Sequence, residues 1–134
     1  MSSTPDSSLM DLMPFAVTLG IELVAAGAGE VRARLPWRPQ LCTAGGVMHG
    51  GALMALADTS GALCAYLNLP GTDHTTTTVE SKTNFLRAVT GGHAEAVSRP
   101  LQRGRRIIVV DTEILDADGR LAARVTQSQL VIAP

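Results

Sequence analysis

The chain has 134 residues, 46% of them hydrophobic and 17% charged, with a formal net charge of -1. That length predicts one ordinary domain, able to bury about two-thirds of its unfolded surface without disulfides or metals. The near-neutral balance excludes a general electrostatic attraction to nucleic acid or anionic membranes, so any anion site must be local. Residues 1–8, MSSTPDSS, have neither the basic start nor the apolar core of a signal peptide and read as a disordered tail, leaving a single domain over 9–134. Residues 9–19 are expected to form a short helix, with Asp11 near its start and Pro14 in the first turn or two. Residues 21–25 and 31–35 read as a hairpin around Gly27-Ala28-Gly29, because Val31, Ala33 and Leu35 alternate with Arg32 and Arg34. Pro36, Pro39 and Gly45-Gly46 then bracket a loop that leads to His49.

From residue 50 to 67 there is no proline, and Ala, Leu and Met dominate, which predicts a helix of about five turns. Apolar residues fill 52–57 and 62–67 without a clean polar stripe, so protein should wrap this helix on most sides. Its length approaches that of a membrane span, but Asp58, Thr59, Ser60 and Gly61 interrupt it and the rest of the chain reads as strands, which excludes that role. Asn68, Pro70 and Gly71 close the helix, and β-branched residues mark a long strand over 75–86. Three more strands are expected over 94–101, 105–115 and 121–132, separated by turns at Gly91-Gly92 and Ala117-Asp118-Gly119. Strands joined by hairpins around one buried helix imply an α+β domain, an antiparallel sheet of five to six strands packed on that helix.

The cysteines, Cys42 and Cys64, have neither paired nor metal-ligand spacing, so a reducing cytoplasm is the expected location. His49, His74 and His93 are scattered, and neither HExxH nor CxxC occurs, so no metal is expected.

The chemistry concentrates at His49-Gly50-Gly51 and at Asp58, nine residues after the histidine. The first N–H groups of a helix lack intrahelical acceptors and carry partial positive charge, so Gly50 and Gly51 can face a developing oxyanion. A carboxylate among Leu56, Ala57, Ala62 and Leu63 is costly to bury unless it is paired or functional. Alone, the glycines could merely relieve crowding and His49 could be a core histidine; Asp58 downstream makes hydrolysis the stronger reading.

The order of short helix, hairpin, His-Gly-Gly loop, helix carrying Leu56-Ala57-Asp58, and strands containing Phe85-Leu86-Arg87 and Arg103-Gly104-Arg105-Arg106 resembles the hotdog-fold thioesterases, most of all their PaaI-like group. The resemblance runs from about residue 12 to the C-terminus. It implies a sheet wrapped around a long central helix, and hydrolysis of an acyl-CoA thioester without a metal or redox cofactor. By position Asp58 matches the catalytic carboxylate, acting as general base or nucleophile. Gly50 matches the glycine whose N–H binds the thioester carbonyl, and His49 the histidine beside it. Relatives commonly carry Asn or Gln six residues before that histidine, where this chain has Thr43. The resemblance also places Thr78 near a hydroxyl that helps bind or orient substrate in some relatives.

CoA carries phosphates, and arginine makes strong charge-assisted bonds to them, so one of Arg103, Arg105 and Arg106 is an expected contact, with Arg87 a further candidate. The other reading is a solvated strand entry, and alternation would send Arg105 and Arg106 to opposite faces. With Phe15, Tyr66, Phe85 and Trp37 the only aromatic residues, aliphatic side chains would line most of an acyl pocket, which suits an aryl or a medium-chain group.

Geometry adds an expectation about assembly. Asp58 lies roughly 12 Å along the helix from Gly50, too far to serve the same carbonyl carbon. A two-fold homodimer that faces one helix start with the other chain's Asp58 resolves this, and a tetramer of two dimers is the expected higher assembly. Two other functions fit such a domain: a hotdog dehydratase or hydratase, which would need a differently ordered histidine, and a non-catalytic acyl-CoA-binding protein, in which loss of the acid would be the expected mark.

Overall fold

Residues 8–134 are described in the computed structural model. The expected tail over 1–8 therefore lies outside the described residues, except for Ser8, which opens a helix. Two short helices, α1 (Ser8–Asp11) and α2 (Pro14–Leu19), stand where one was expected. The break has a local cause: Pro14 has no N–H and pushes the preceding residue out of the helical region, and Met13 accordingly has φ -129 and ψ 75.

The strands are β1 (Glu22–Ala26), β2 (Val31–Pro36), β3 (Thr75–Phe85), β4 (His93–Arg103), β5 (Ile107–Leu115) and β6 (Leu121–Ile132). They form one antiparallel sheet in the order β1-β2-β4-β5-β6-β3. The long helix α3 (Gly50–Tyr66) lies against β2 through β6. Among the described residues, no helix is long and apolar enough to cross a membrane.

Alternation decides which strand residues meet the helix. In β5, Ile108, Val110, Thr112 and Ile114 are buried. Leu53, Leu56 and Ala57 of α3 join one apolar cluster with Leu35, Ile114 and Val125, while Leu63, Cys64 and Ala65 join a second with Val31, Ile108 and Val110. Each large side chain so buried contributes about 1.5–3 kcal/mol before ordering costs. The outer face carries charge pairs, among them Arg34–Glu95 at 2.8 Å, Arg99–Glu30 at 2.8 Å and Arg124–Asp111 at 3.0 Å. Inside, a buried hydroxyl chain ties α3 to the sheet: Ser60 Oγ lies 2.8 Å from Ser98 Oγ, which lies 2.6 Å from Thr112 Oγ1.

Two details position the site. Strand β3 is bulged between Thr78 and Glu80, with Val79 the extra residue. The wrapping of α3 is also incomplete: nine of its residues are buried, but Met54 is 39% exposed and Asp58, one turn later, is open as well. A composition of Ala, Leu and Met gave no polar stripe to mark this open side.

Candidate active site

The loop before α3 is fixed where it meets the helix. The N–H of Met48 donates to the Val89 carbonyl at 2.8 Å, and that of His49 to the Leu41 carbonyl at 2.8 Å. His49 then caps the helix, its Nδ1 accepting the Gly51 N–H at 2.7 Å. Acceptance at Nδ1 puts the proton of the neutral ring on Nε2. His49 is exposed, so it is not a core histidine. Of the two glycine N–H groups expected to face an oxyanion, Gly51's is already claimed, while Gly50's has no partner among the described residues.

Gly50 also has a steric reason to be glycine, because a Cβ there would come within 3.1 Å of the Phe85 ring at the end of β3. A cavity of about 390 Å³ opens beside this contact, with Thr43, Gly50, Leu53, Phe85 and Arg87 in its wall. The structure thus brings Thr43 to Gly50, and Arg87 is the arginine that it places there. A smaller cavity of about 220 Å³, lined in part by Phe15, Cys42, His49 and Gly51, lies on the other side of the helix start.

Asp58 sits two turns further on, and its carboxylate is held from one side. Thr78 donates its hydroxyl proton to Oδ1 at 2.7 Å, and the Gln127 amide nitrogen donates to the same oxygen. Oδ2 has no partner among the described residues. Behind Thr78, Gln129 Nε2 donates to Thr78 Oγ1 at 2.6 Å, and Gln129 Oε1 accepts from Thr76 Oγ1 at 3.1 Å. Gln127 and Gln129 are both fully buried on the helix-facing side of β6. The Gln127 carbonyl oxygen is buried without a donor, a condition that costs about 1–3 kcal/mol. Gln127, Gln129 and Thr76 did not emerge from the sequence, although two glutamines in phase with the buried Ala123 and Val125 of β6 were a readable sign of polar function on a core face.

The arginine cluster lies elsewhere. Arg105 and Arg106 precede β5 rather than belonging to it, so strand alternation does not separate them. Both line one cavity of about 720 Å³ together with Pro70, His74 and Leu130, a cavity that does not include Arg103, which ends β4. The cavity that holds Arg105 and Arg106 is lined by neither Gly50 nor Asp58. Cys64 supplies no nucleophile, since burial pushes its thiol up to about 11.

Residues 45–123, from the loop before α3 to the first residues of β6, match the thioesterase superfamily. The chain belongs to that superfamily. A candidate esterase of Mycobacterium tuberculosis, Rv1847, is 33% identical over 128 residues, which cover 92% of this chain and 91% of the relative. Thioesterase HI1161 of Haemophilus influenzae has a solved structure that superposes with a TM-score of 0.85 at 29% identity, covering 98% of this chain and 95% of that one. A variant of thioesterase PA1618 of Pseudomonas aeruginosa gives 0.89 at 26% identity, with coverages of 97% and 96%. The hotdog fold expected from the sequence is that of these superfamily neighbours. The superfamily match includes His49, Gly50, Asp58 and Thr78; Thr43, Gln127 and Gln129 fall outside it.

Proposed function

We propose that the protein is an acyl-CoA thioesterase, releasing an aryl or medium-chain carboxylic acid and free CoA. One observation carries this reading: Asp58 stands on an open stripe of α3 with one carboxylate oxygen anchored and the other unclaimed, in a helix that begins with the free N–H of Gly50. The N–H and the positive end of the helix would polarise the thioester carbonyl. Asp58 would either draw a proton from water as its oxygen attacks the carbonyl carbon, or attack that carbon itself. In both routes the C–S bond breaks, the sulfur leaves as thiolate and is then protonated, and the elements of water end up in the acid and the thiol. The 390 Å³ cavity beside Gly50, walled by Leu53 and Phe85, suits the acyl end, and the Arg105–Arg106 pair, in a separate cavity, is the candidate for the phosphates of CoA, which the pantetheine arm holds away from the thioester.

The site would be completed by a second copy of the chain. Gly50 and Asp58 project from one helix roughly 12 Å apart, and the open stripe bearing Asp58 lies beside β3, the outermost strand. At 11 residues β3 is an unusually long free edge, whereas the opposite edge, β1, has five. Such edges pair or are protected, and Val79 on β3 is 56% exposed. Pairing two β3 edges about a two-fold axis would extend the sheets and set each Asp58 toward the other helix start.

The test is thiol release from a panel of aryl- and fatty-acyl-CoAs, comparing the native protein with Asp58→Asn, each checked for folding and dimerisation. Turnover that falls by about a hundredfold or more in Asp58→Asn is the expected result. A native protein that binds acyl-CoA and releases no thiol would sink the assignment in favour of a binding role.

A further inference from the structure

Gln127 supplies a feature of the site that hydrolysis by a lone aspartate does not require. A fully buried glutamine on the core face of β6 reaches across to α3 and gives its amide nitrogen to Asp58 Oδ1. The orientation of that amide is set by chemistry, since turning it over would place its carbonyl oxygen against a carboxylate oxygen. Its own carbonyl must then point at the helix backbone, where no donor among the described residues meets it. The space it occupies exists only because residue 61 is glycine: a Cβ there would lie 1.9 Å from Gln127 Oε1. A buried carbonyl left without a donor is rare in folded proteins and calls for a reason. An apolar side chain would fill the same volume without that defect, so packing alone does not account for Gln127.

The surrounding donors point the same way. Thr76 donates to Gln129, Gln129 to Thr78, and Thr78 to Asp58 Oδ1. Because Thr78 Oγ1 accepts from Gln129, its own proton is committed to the carboxylate. Gln127 adds the second donor to that oxygen and also lies 3.4 Å from Thr78 Oγ1. Both donors converge on Oδ1 and neither touches Oδ2.

Resting on the thioesterase reading of Asp58, we propose that Gln127, seated against Gly61, is a positioning residue that fixes the rotation of the Asp58 carboxylate and makes Oδ2 the reacting oxygen. Gly61 is then a glycine for the sake of Gln127. Substrate affinity does not depend on this pair, because the amide is buried beneath the carboxylate.

The test uses the intact protein and five variants, each checked for melting temperature and oligomeric state. Gln127→Met keeps the volume and removes the donor; it should lower kcat by about 10- to 100-fold, the cost of misplacing a reacting group, with KM within about twofold. Gly61→Ala should reproduce that loss by evicting the amide, whereas in Gln127→Ser the added methyl should do nothing more, so that Gly61→Ala/Gln127→Ser matches Gln127→Ser. A kcat within twofold of native in Gln127→Met, or a loss expressed in KM, overturns the proposal. Side-chain amide NMR gives a readout independent of turnover: the Gln127 resonance should move in Asp58→Ala. If the native protein hydrolyses no thioester, the function reading fails, and the resonance still decides the contact: a shift upholds Gln127 as the holder of Asp58, and no shift overturns it.

Discussion

Asp116, at the exit of β5, accepts the N–H groups of Asp118 and Arg120 through Oδ1 at 3.0 and 2.9 Å, and the Arg120 guanidinium through Oδ2 at 2.9 Å. The Arg120 N–H first, then the Asp118 N–H and the Arg120 side chain, hold this carboxyl below its ordinary 3.8 against the opposing effect of burial. A carboxyl with a depressed folded-state value binds its proton more readily in the unfolded chain. Its contribution to stability is therefore complete above 3.8 and disappears as the pH falls through the lower folded-state value. Thermal melts should accordingly show Asp116→Asn less stable than the native protein at neutral pH, with the gap closing in strong acid. A gap that widens on acidification would contradict this account of the hairpin. The same contrast separates Asp116 from Asp58: both accept several donors, but Asp116 uses both oxygens and Asp58 only one.

At the scale of the element, the start of α3 has two tasks that a single substitution can separate. His49 caps the helix by taking the Gly51 N–H, and that same bond leaves Gly50 as the sole glycine donor. His49→Ala should destabilise the protein by about 1 kcal/mol, as other lost N-caps do. His49→Asp restores a cap but sets a negative charge beside the Gly50 N–H to which the proposed mechanism assigns the oxyanion, so its melting temperature should recover while turnover stays depressed; full activity in that variant would show that no oxyanion forms there. This stretch was legible from the sequence because His49, Gly50 and Asp58 are close in the chain and a helix fixes their relation. Strand cores were equally legible from the alternation of residues such as Ile108, Val110 and Ile114. Elsewhere local pattern was insufficient. The effect of Pro14 fell on Met13 and split one expected helix into two. The strand expected from residue 105 begins two residues later, at Ile107, so Arg105 and Arg106 escape its alternation. Gln127 is 69 residues from Asp58, and although its phase with Ala123 and Val125 sets it on the core face, no local pattern tells which helix residue it meets or that Gly61 makes room for it.

At the scale of the molecule, the proposed dimer makes the unpaired edge of β3 bear on function directly. Val79→Glu puts a charge on the exposed bulge of that edge, next to Glu80, and across a two-fold axis like charges would meet. Sedimentation should show a folded monomer, and thiol release should be lost with the dimer; a fully active monomer would show that one chain holds a complete site. The buried hydroxyl chain of Ser60, Ser98 and Thr112 acts over the same distance. A helix whose sides are nearly all apolar could be rolled about its axis with little change in buried area, so greasy contacts alone choose no particular azimuth. Ser60 removes that freedom, because only one azimuth satisfies its hydroxyl against β4 and β5. Asp58 precedes it by two residues, about 200° around the helix, and so is turned toward the opposite flank. Three hydroxyls buried between helix and sheet thereby decide which way the acid looks.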